Sequence, residues 1–168
     1  MAAFDCKQEF GRLAPAGFYA ALRVGFVVPM AECNTMPQAW IDRYTRMGYL
    51  VHDPVVRWVY GNTGAIRWHE IVLPDPQGVM REAAQYGMRF GAAVSCAPPD
   101  EGGHRSYATF ARSDRDFTDA EVEQLRDRFT ALHLAATPPA NLTKAELEAL
   151  SMIRDGLWDA FNGYHMGQ

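Results

Sequence analysis

The sequence predicts an α+β fold in which helices pack on the faces of an antiparallel β-sheet. Strand-like segments at 88–96 and 105–112 follow one another along the chain, helical segments fall before and between the strands, and no internal repeat is visible. Packing the helices on the faces of one sheet is the simplest layer arrangement for that order. The length of 168 residues corresponds to one main domain at roughly 100–200 residues per domain.

Four segments have the composition of strands. Residues 17–26 are aromatic and β-branched and lie between Pro15 and Pro29, which favours a first strand. Residues 65–72 alternate weakly, and 88–96 and 105–112 predict two more strands. The Pro- and Gly-rich stretch 97–104 then predicts an irregular hairpin loop.

The helices are predicted from their start and stop signals. A capping-box pattern places Thr35 as the N-cap of a helix that ends at Gly48, and Asp53 caps a short helix that runs to Gly61. Residues 76–86 have helical spacing, and capping boxes at 118–121 and 143–146 predict two further helices.

Composition excludes several classes of protein. A net charge of −4 argues against direct nucleic-acid binding and against an anionic membrane surface. The sequence has no apolar run long enough to span a membrane and no apolar signal-peptide core. Cys6, Cys33 and Cys96 are widely spaced and odd in number, so we expect reduced thiols and a cytoplasmic protein without a metal or other cofactor.

A cluster of aromatic and acidic residues is the candidate binding site. Trp40, Tyr44, Asp53 and Trp68 lie close together along the chain, and indole N–H, phenol O–H and carboxylate groups beside apolar walls are typical of a small-molecule site. The residues alone leave an alternative open. Aromatic residues at helical spacing are often core, and Asp before Pro is often a plain helix cap.

The order of these residues, W-x3-Y-x8-D-P-x13-W with a later strand glycine at Gly91, resembles the autoinducer-binding domain of LuxR-type quorum-sensing regulators. The resemblance covers about residues 17–135. It implies an α-β-α sandwich, with helices on both faces of a central antiparallel sheet, and an N-acyl-homoserine lactone held between the sheet and the helices.

Individual roles are implied by the same resemblance. Trp40 is similar to the indole that donates to the lactone carbonyl, and Asp53 to the carboxylate that accepts from the ligand amide. Tyr44 and Trp68 resemble the aromatic walls of the site. Pro54 and Gly91 resemble structural positions, and we expect Gly91 to be a glycine because a side chain would crowd neighbouring backbone.

Departures from the family pattern concern the acyl-amide region. Met36 stands where many members have a tyrosine that donates to the acyl carbonyl, and Met cannot donate that bond. Thr109, on a strand expected to face the pocket, is a candidate replacement. Val55 and Val56 follow Asp53-Pro54 and are expected to line the pocket with apolar groups.

The sequence divides into an autoinducer-binding-like domain at 1–140 and a segment at 141–168 that resembles only the first helix of a helix-turn-helix. From Thr143 onward two basic residues face four acidic ones, a local net charge of −2, which disfavours direct DNA contact. We therefore expect a receptor module without its own DNA-binding domain, which acts as an anti-activator through a homodimer or a heterodimer with a full-length regulator.

Two other functions stay open at this stage. One is a ligand-independent interaction protein that dimerises with full-length LuxR-type regulators. Met36 and Val55 support it, because both are apolar where family members carry a hydroxyl. The other is an enzyme in which Asp53 and either His52 or His69 form an acid–base pair. No known catalytic motif supports the enzyme.

Overall fold

The computed structural model describes residues 6–24, 29–97 and 104–136. Its centre is a five-stranded sheet in which all strand pairs are antiparallel, with the order β2-β1-β5-β4-β3. The strands are β1 (Gly17–Val24), β2 (Ala31–Asn34), β3 (Gly64–Arg67), β4 (Phe90–Cys96) and β5 (Arg105–Arg112). The helices are α1 (Cys6–Phe10), α2 (Gln38–Arg46), α3 (Pro54–Gly61), α4 (Val79–Gln85) and α5 (Asp119–Ala135), with short 3-10 helices at Tyr49–Val51 and Trp68–Glu70.

The two faces of the sheet carry different layers, as the predicted sandwich requires. Because side chains alternate along a strand, Phe18 and Phe110 point to one face, where they pack with Phe10 of α1 and Phe129 of α5. The opposite face carries Ala21, Ala93, Ala111 and Tyr107 and is covered by α2, α3 and α4. The predicted fold class, with helices on both faces of a central antiparallel sheet, is confirmed.

Strand predictions are confirmed except at the segment 65–72. There β3 ends at Arg67 because the chain turns into the 3-10 helix at Trp68–Glu70. The predicted strand at 105–112 is observed with those bounds. The end of the first predicted strand, at 25–26, and most of the hairpin loop, at 98–103, lie outside the described residues.

Two of the predicted helix starts are confirmed and one is wrong. Asp53 caps α3, and Thr118 forms the predicted capping box with Glu121 at the start of α5. Thr35 does not cap α2, because its Oγ1 accepts from the Phe18 N–H of β1 at 3.0 Å, and Pro37 occupies the N-cap position. In the described ranges, no helix has both the length and the hydropathy that a membrane crossing requires.

Two further helical predictions have a different outcome. The segment 76–86 becomes helical only at Val79, where the side chain of Asp75 accepts from the Val79 and Met80 N–H groups. The helix predicted after Thr143, and with it the whole segment 141–168, lies outside the described residues.

The expectation of three reduced cysteines is wrong. Cys6 at the start of α1 and Cys33 on β2 form a disulfide with a Cα–Cα distance of 6.5 Å, and Cys96 is free and buried. The pairing arises from tertiary packing, since α1 lies against the sheet next to β2, and a spacing of 27 residues gave no sign of it. Disulfides are uncommon in reducing compartments, so the cytoplasm stays a prediction that loses this support.

The capping box of α5 makes the protein sensitive to acid. Glu121 accepts two hydrogen bonds from Arg115, at 2.7 and 3.1 Å, and one from the Thr118 N–H at 2.9 Å. These bonds to the charged carboxylate, led by those from Arg115, lower the pKa of Glu121 to about 2 from its usual 4.5. A lowered pKa stabilises the fold above pH 4.5 and loses that contribution as pH falls toward 2.

We therefore expect the free energy of unfolding to fall as pH decreases through this interval, and to fall less steeply in Glu121→Gln. Urea denaturation at a series of pH values measures the slope. Glu123→Gln, at an exposed position of the same helix, is the matched control and keeps the wild-type slope. Equal slopes in Glu121→Gln and the wild type would contradict the assignment.

Candidate functional site

A cavity of about 400 Å³ lies between the sheet and the helices α2, α3 and α4. It is lined by all eight residues that the sequence analysis proposed for ligand binding: Met36, Trp40, Tyr44, Asp53, Val55, Val56, Trp68 and Thr109. The structure thus brings them together at one place. Their roles toward a ligand stay predictions.

The helix α2 supplies Trp40 and Tyr44, which are four residues apart and so lie on one face. Trp40 is only 4% exposed, and its ring centroid lies 5.7 Å from that of Tyr44 and 5.3 Å from that of Tyr86. The indole N–H of Trp40 donates to none of the described residues. Since no fully buried side-chain nitrogen or oxygen in these ranges lacks a partner, this N–H reaches solvent-accessible space. Trp40 is one of the residues that line the cavity.

Asp53 acts as a helix cap and as a cavity residue at the same time. Its Oδ1 accepts from the Val55 N–H at 2.8 Å, which caps α3, and its Oδ2 accepts from the Tyr44 hydroxyl at 2.8 Å. The two interpretations left open by the sequence are therefore compatible. A carboxylate has about four lone-pair sites, so Asp53 retains the capacity to accept another hydrogen bond.

Burial dominates the electrostatics of this pair. Asp53 is 9% exposed, and desolvation raises the pKa of its carboxyl, while the hydrogen bonds from Tyr44 and Val55 oppose that rise. Desolvation, followed by the neighbouring Asp53 charge, raises the pKa of the Tyr44 hydroxyl far above its usual value. Tyr44 therefore stays a neutral donor that holds the carboxylate in place.

Trp68 forms a wall of the cavity directly above β4. Its Nε1–H donates to Thr109 Oγ1 at 2.8 Å, so this indole orients itself on the sheet and has no N–H left for a ligand. The Thr109 hydroxyl still has its own hydrogen to donate. A Cβ at Gly91 would lie 2.0 Å from the Trp68 ring. Gly91 is therefore needed so that the Trp68 ring can pack on β4. The expectation that a side chain at Gly91 would crowd neighbouring backbone is wrong, because it would meet the Trp68 ring instead.

Sequence reasoning missed part of the apolar lining. Ile41 on α2, Val59 on α3 and Met80 on α4 also line the cavity. A pattern of apolar residues at helical spacing does not distinguish a packed core from the wall of a cavity. That difference depends on how far the helices stand from the sheet.

A polar group of residues at the β2 side was also missed. It comprises Tyr19, Glu32, Asn34, Tyr60 and Tyr107. A signal existed for one of them, because Tyr107 is two residues from Thr109 on the same strand and must share its face. No comparable signal marked Glu32, whose strand was not predicted.

The acid–base pair considered for an enzyme is not assembled in the described part of the chain. His52 and His69 are absent from the residues that line the cavity. His69 is an exposed residue whose Nε2 lies 2.8 Å from Asp116 Oδ2. Asp53 instead contacts Tyr44 and the start of α3.

Comparison with known proteins gives a family match. The model of the autoinducer binding domain family matches residues 28–137, a span that includes all the predicted site residues. The transcriptional activator protein SolR of Ralstonia nicotianae is 29% identical over 131 residues, which cover 72% of this chain and 55% of SolR. The chain thus spans little more than half the length of this relative.

Solved structures show the same fold. The N-acylhomoserine lactone dependent LuxR family transcription factor CepR2 of Burkholderia cenocepacia is similar with a TM-score of 0.53 and 25% identity, over 71% of this chain and 72% of CepR2. Escherichia coli SdiA is similar with a TM-score of 0.57 and 22% identity, over 89% of this chain and 69% of SdiA.

Proposed function

This chain belongs to the autoinducer-binding domain family of LuxR-type quorum-sensing regulators, and we propose that its cavity binds an N-acyl-homoserine lactone. The CepR2 regulator, which shares the fold, depends on such a ligand. The site residues named below carry the proposal for this chain.

One observation carries the proposal. The Trp40 indole presents a donor without a partner among the described residues, and the Asp53 carboxylate presents an acceptor with capacity left, on the same apolar cavity. A ligand with a carbonyl and an amide N–H complements both. Burying these groups without a partner is costly, so a ligand of this kind stabilises the folded protein.

The remaining groups match the other parts of the ligand. Trp68 and Tyr44 provide flat walls for a ring, and Met36, Val55 and Val56 offer apolar contact to an acyl chain. Met36 lacks a donor for the acyl carbonyl. The free hydrogen of the Thr109 hydroxyl is the replacement that we propose, because its oxygen is already held by Trp68.

The effect on transcription is proposed to run through a protein partner. Residues 143–168 carry a local net charge of −2, and a segment of that charge does not favour contact with DNA phosphates. We propose that the chain dimerises with itself or with a full-length LuxR-type regulator and opposes its activation. Co-expression with such a regulator and co-purification with and without lactone test this part.

The binding proposal is tested by thermal unfolding with added lactones. We expect the melting temperature of the wild type to rise with ligand concentration, since binding to the folded state stabilises it by RT ln(1 + [L]/Kd). Trp40→Phe removes the N–H and keeps a ring. Asp53→Ser keeps a capping hydroxyl for α3 and removes the carboxylate. Each variant is expected to weaken binding roughly tenfold or more.

Trp58→Phe is the matched control, because Trp58 lies on α3 but is not among the residues that line the cavity. It is expected to keep the wild-type response. If Trp40→Phe and Asp53→Ser respond to lactone as the wild type does, the proposed roles are wrong. A wild type that responds to no lactone favours the ligand-independent interaction protein, for which the loss of a donor at Met36 is the supporting observation.

A further inference from the structure

The end of the cavity beside β2 has a polar lining that the proposed lactone contacts do not use. Four helices and strands contribute to it: Tyr19 on β1, Glu32 and Asn34 on β2, Tyr60 on α3 and Tyr107 on β5. An acyl chain of hydrocarbon alone has no counterpart for these groups. The lining therefore indicates a polar group on the part of the ligand that reaches this end of the cavity.

The strand register places Glu32, at the outer edge of this group, far from Gly91 and the Trp68 ring above it. Gly91, beneath the Trp68 ring, pairs with Ala111 on β5. Tyr107, four residues along β5, is in register with Ala21, which is in register with Glu32. Three strand spacings of about 4.8 Å and four residues of about 3.3 Å put Glu32 roughly 20 Å from Gly91 across the sheet.

Glu32 has an oxygen available at this end. Its Oε2 accepts from the Tyr19 hydroxyl at 2.8 Å, while its Oε1 accepts from none of the described residues. The ring centroid of Tyr107 lies 5.8 Å from that of Tyr19 and 5.5 Å from that of Tyr60. Three phenol rings thus follow one another from Tyr60 through Tyr107 to Tyr19, and Tyr19 holds the carboxylate.

The protonation states of these groups favour hydrogen bonding. Burial raises the pKa of the Tyr19 and Tyr107 hydroxyls well above their usual value, so both stay neutral at physiological pH. Each hydroxyl is able to donate and accept, while a carboxylate such as that of Glu32 accepts. The Tyr19 hydroxyl donates to Oε2 of this carboxylate, and Oε1 has room for a second donor.

The group at the end of the ligand's acyl chain determines whether contact with Glu32 is favourable. A methyl end would displace water from Glu32 and the phenols without replacing the hydrogen bonds, which is unfavourable. A hydroxyl end restores them by donating to Glu32 Oε1. A carboxylate end is repelled by the like charge.

We propose that Glu32, held by Tyr19 beside Tyr107, is a specificity-determining residue that selects lactones whose acyl group carries a hydroxyl at the end remote from the lactone ring. The proposal rests on the proposed lactone binding. Because Glu32 is exposed, water competes for its oxygens, and the expected preference for the hydroxyl over the methyl end is about fivefold in Kd.

Isothermal titration with matched ligands tests the proposal. Lactones with methyl, hydroxyl and carboxylate chain ends are compared at each of several chain lengths, on the wild type, Glu32→Ala and Glu32→Gln. Glu123→Ala is the matched control, since it removes a carboxylate from the exposed surface of α5. Ligand-free melting temperatures show that each variant is folded.

In the wild type and in Glu123→Ala, we expect tighter binding of the hydroxyl-ended than of the methyl-ended lactone. This preference should appear at the chain length that reaches Glu32. We expect Glu32→Ala to lose it, and Glu32→Gln to bind the carboxylate-ended lactone more tightly than the wild type does. Equal affinity for methyl and hydroxyl ends in the wild type, or a preference that survives Glu32→Ala, overturns the specificity role and leaves lactone binding intact. If no lactone gives a heat of binding, both the specificity role of Glu32 and the proposed lactone binding are overturned.

Discussion

Gly91→Ala is expected to destabilise the protein by roughly 1–3 kcal/mol, which is typical of overpacking, and to abolish the thermal response to lactone. The added methyl group would lie 2.0 Å from the Trp68 ring, so the indole has to leave its seat on β4. Trp68 would then lose the 2.8 Å bond to Thr109. Urea denaturation and the lactone-induced shift in melting temperature measure the two effects.

A double-mutant cycle identifies Trp68 as the cause. In the Trp68→Ala background the methyl group meets no indole, and replacing a strand glycine by alanine is stabilising by roughly 0.5–1 kcal/mol. The sign of the Gly91→Ala effect should therefore reverse between the two backgrounds. An equal destabilisation in both would mean that backbone crowding, the reason expected from the sequence, is correct after all.

The predictable part of this molecule is the part coded by local patterns. Asp53 followed by Pro54 marked the start of α3, because a short acceptor side chain and a residue without an N–H both suit a helix N-terminus. Thr118 and Glu121 marked α5 in the same way. Trp40 and Asp53 were identified as site residues because their order and spacing in the sequence resemble those of a known family. That signal does not depend on predicting helices or strands.

The unpredicted part depends on contacts between distant segments. Arg23 has a left-handed φ of 56° at an irregularity in the β1–β5 pairing, and its buried guanidinium donates to the His133 carbonyl near the end of α5. Nothing in the neighbouring sequence indicates an arginine in that conformation. Thr35 shows the converse, since a valid capping pattern lost to a hydrogen bond with Phe18, 17 residues away.

Reduction of the Cys6–Cys33 disulfide is expected to lower the free energy of unfolding by roughly 3–4 kcal/mol. The bridge closes a loop across 27 residues, and the chain-entropy model gives about that value for a loop of this length. Urea denaturation with and without a thiol reductant measures the loss. In Cys33→Ser the reductant should have no effect, and a loss that persists there would place its cause outside this bridge.

The same change is expected to reach the ligand site through β2. Cys33 lies between Glu32 and Asn34, both of which line the cavity, and β2 is an edge strand that pairs with β1 alone. Without the bridge, the pairing with β1 carries this edge, so the polar end of the cavity loosens while Trp40 and Asp53 on the helices keep their positions. We therefore expect reduction to weaken binding of lactones that reach Glu32 more than binding of short-chain lactones, and equal weakening of both would contradict the coupling.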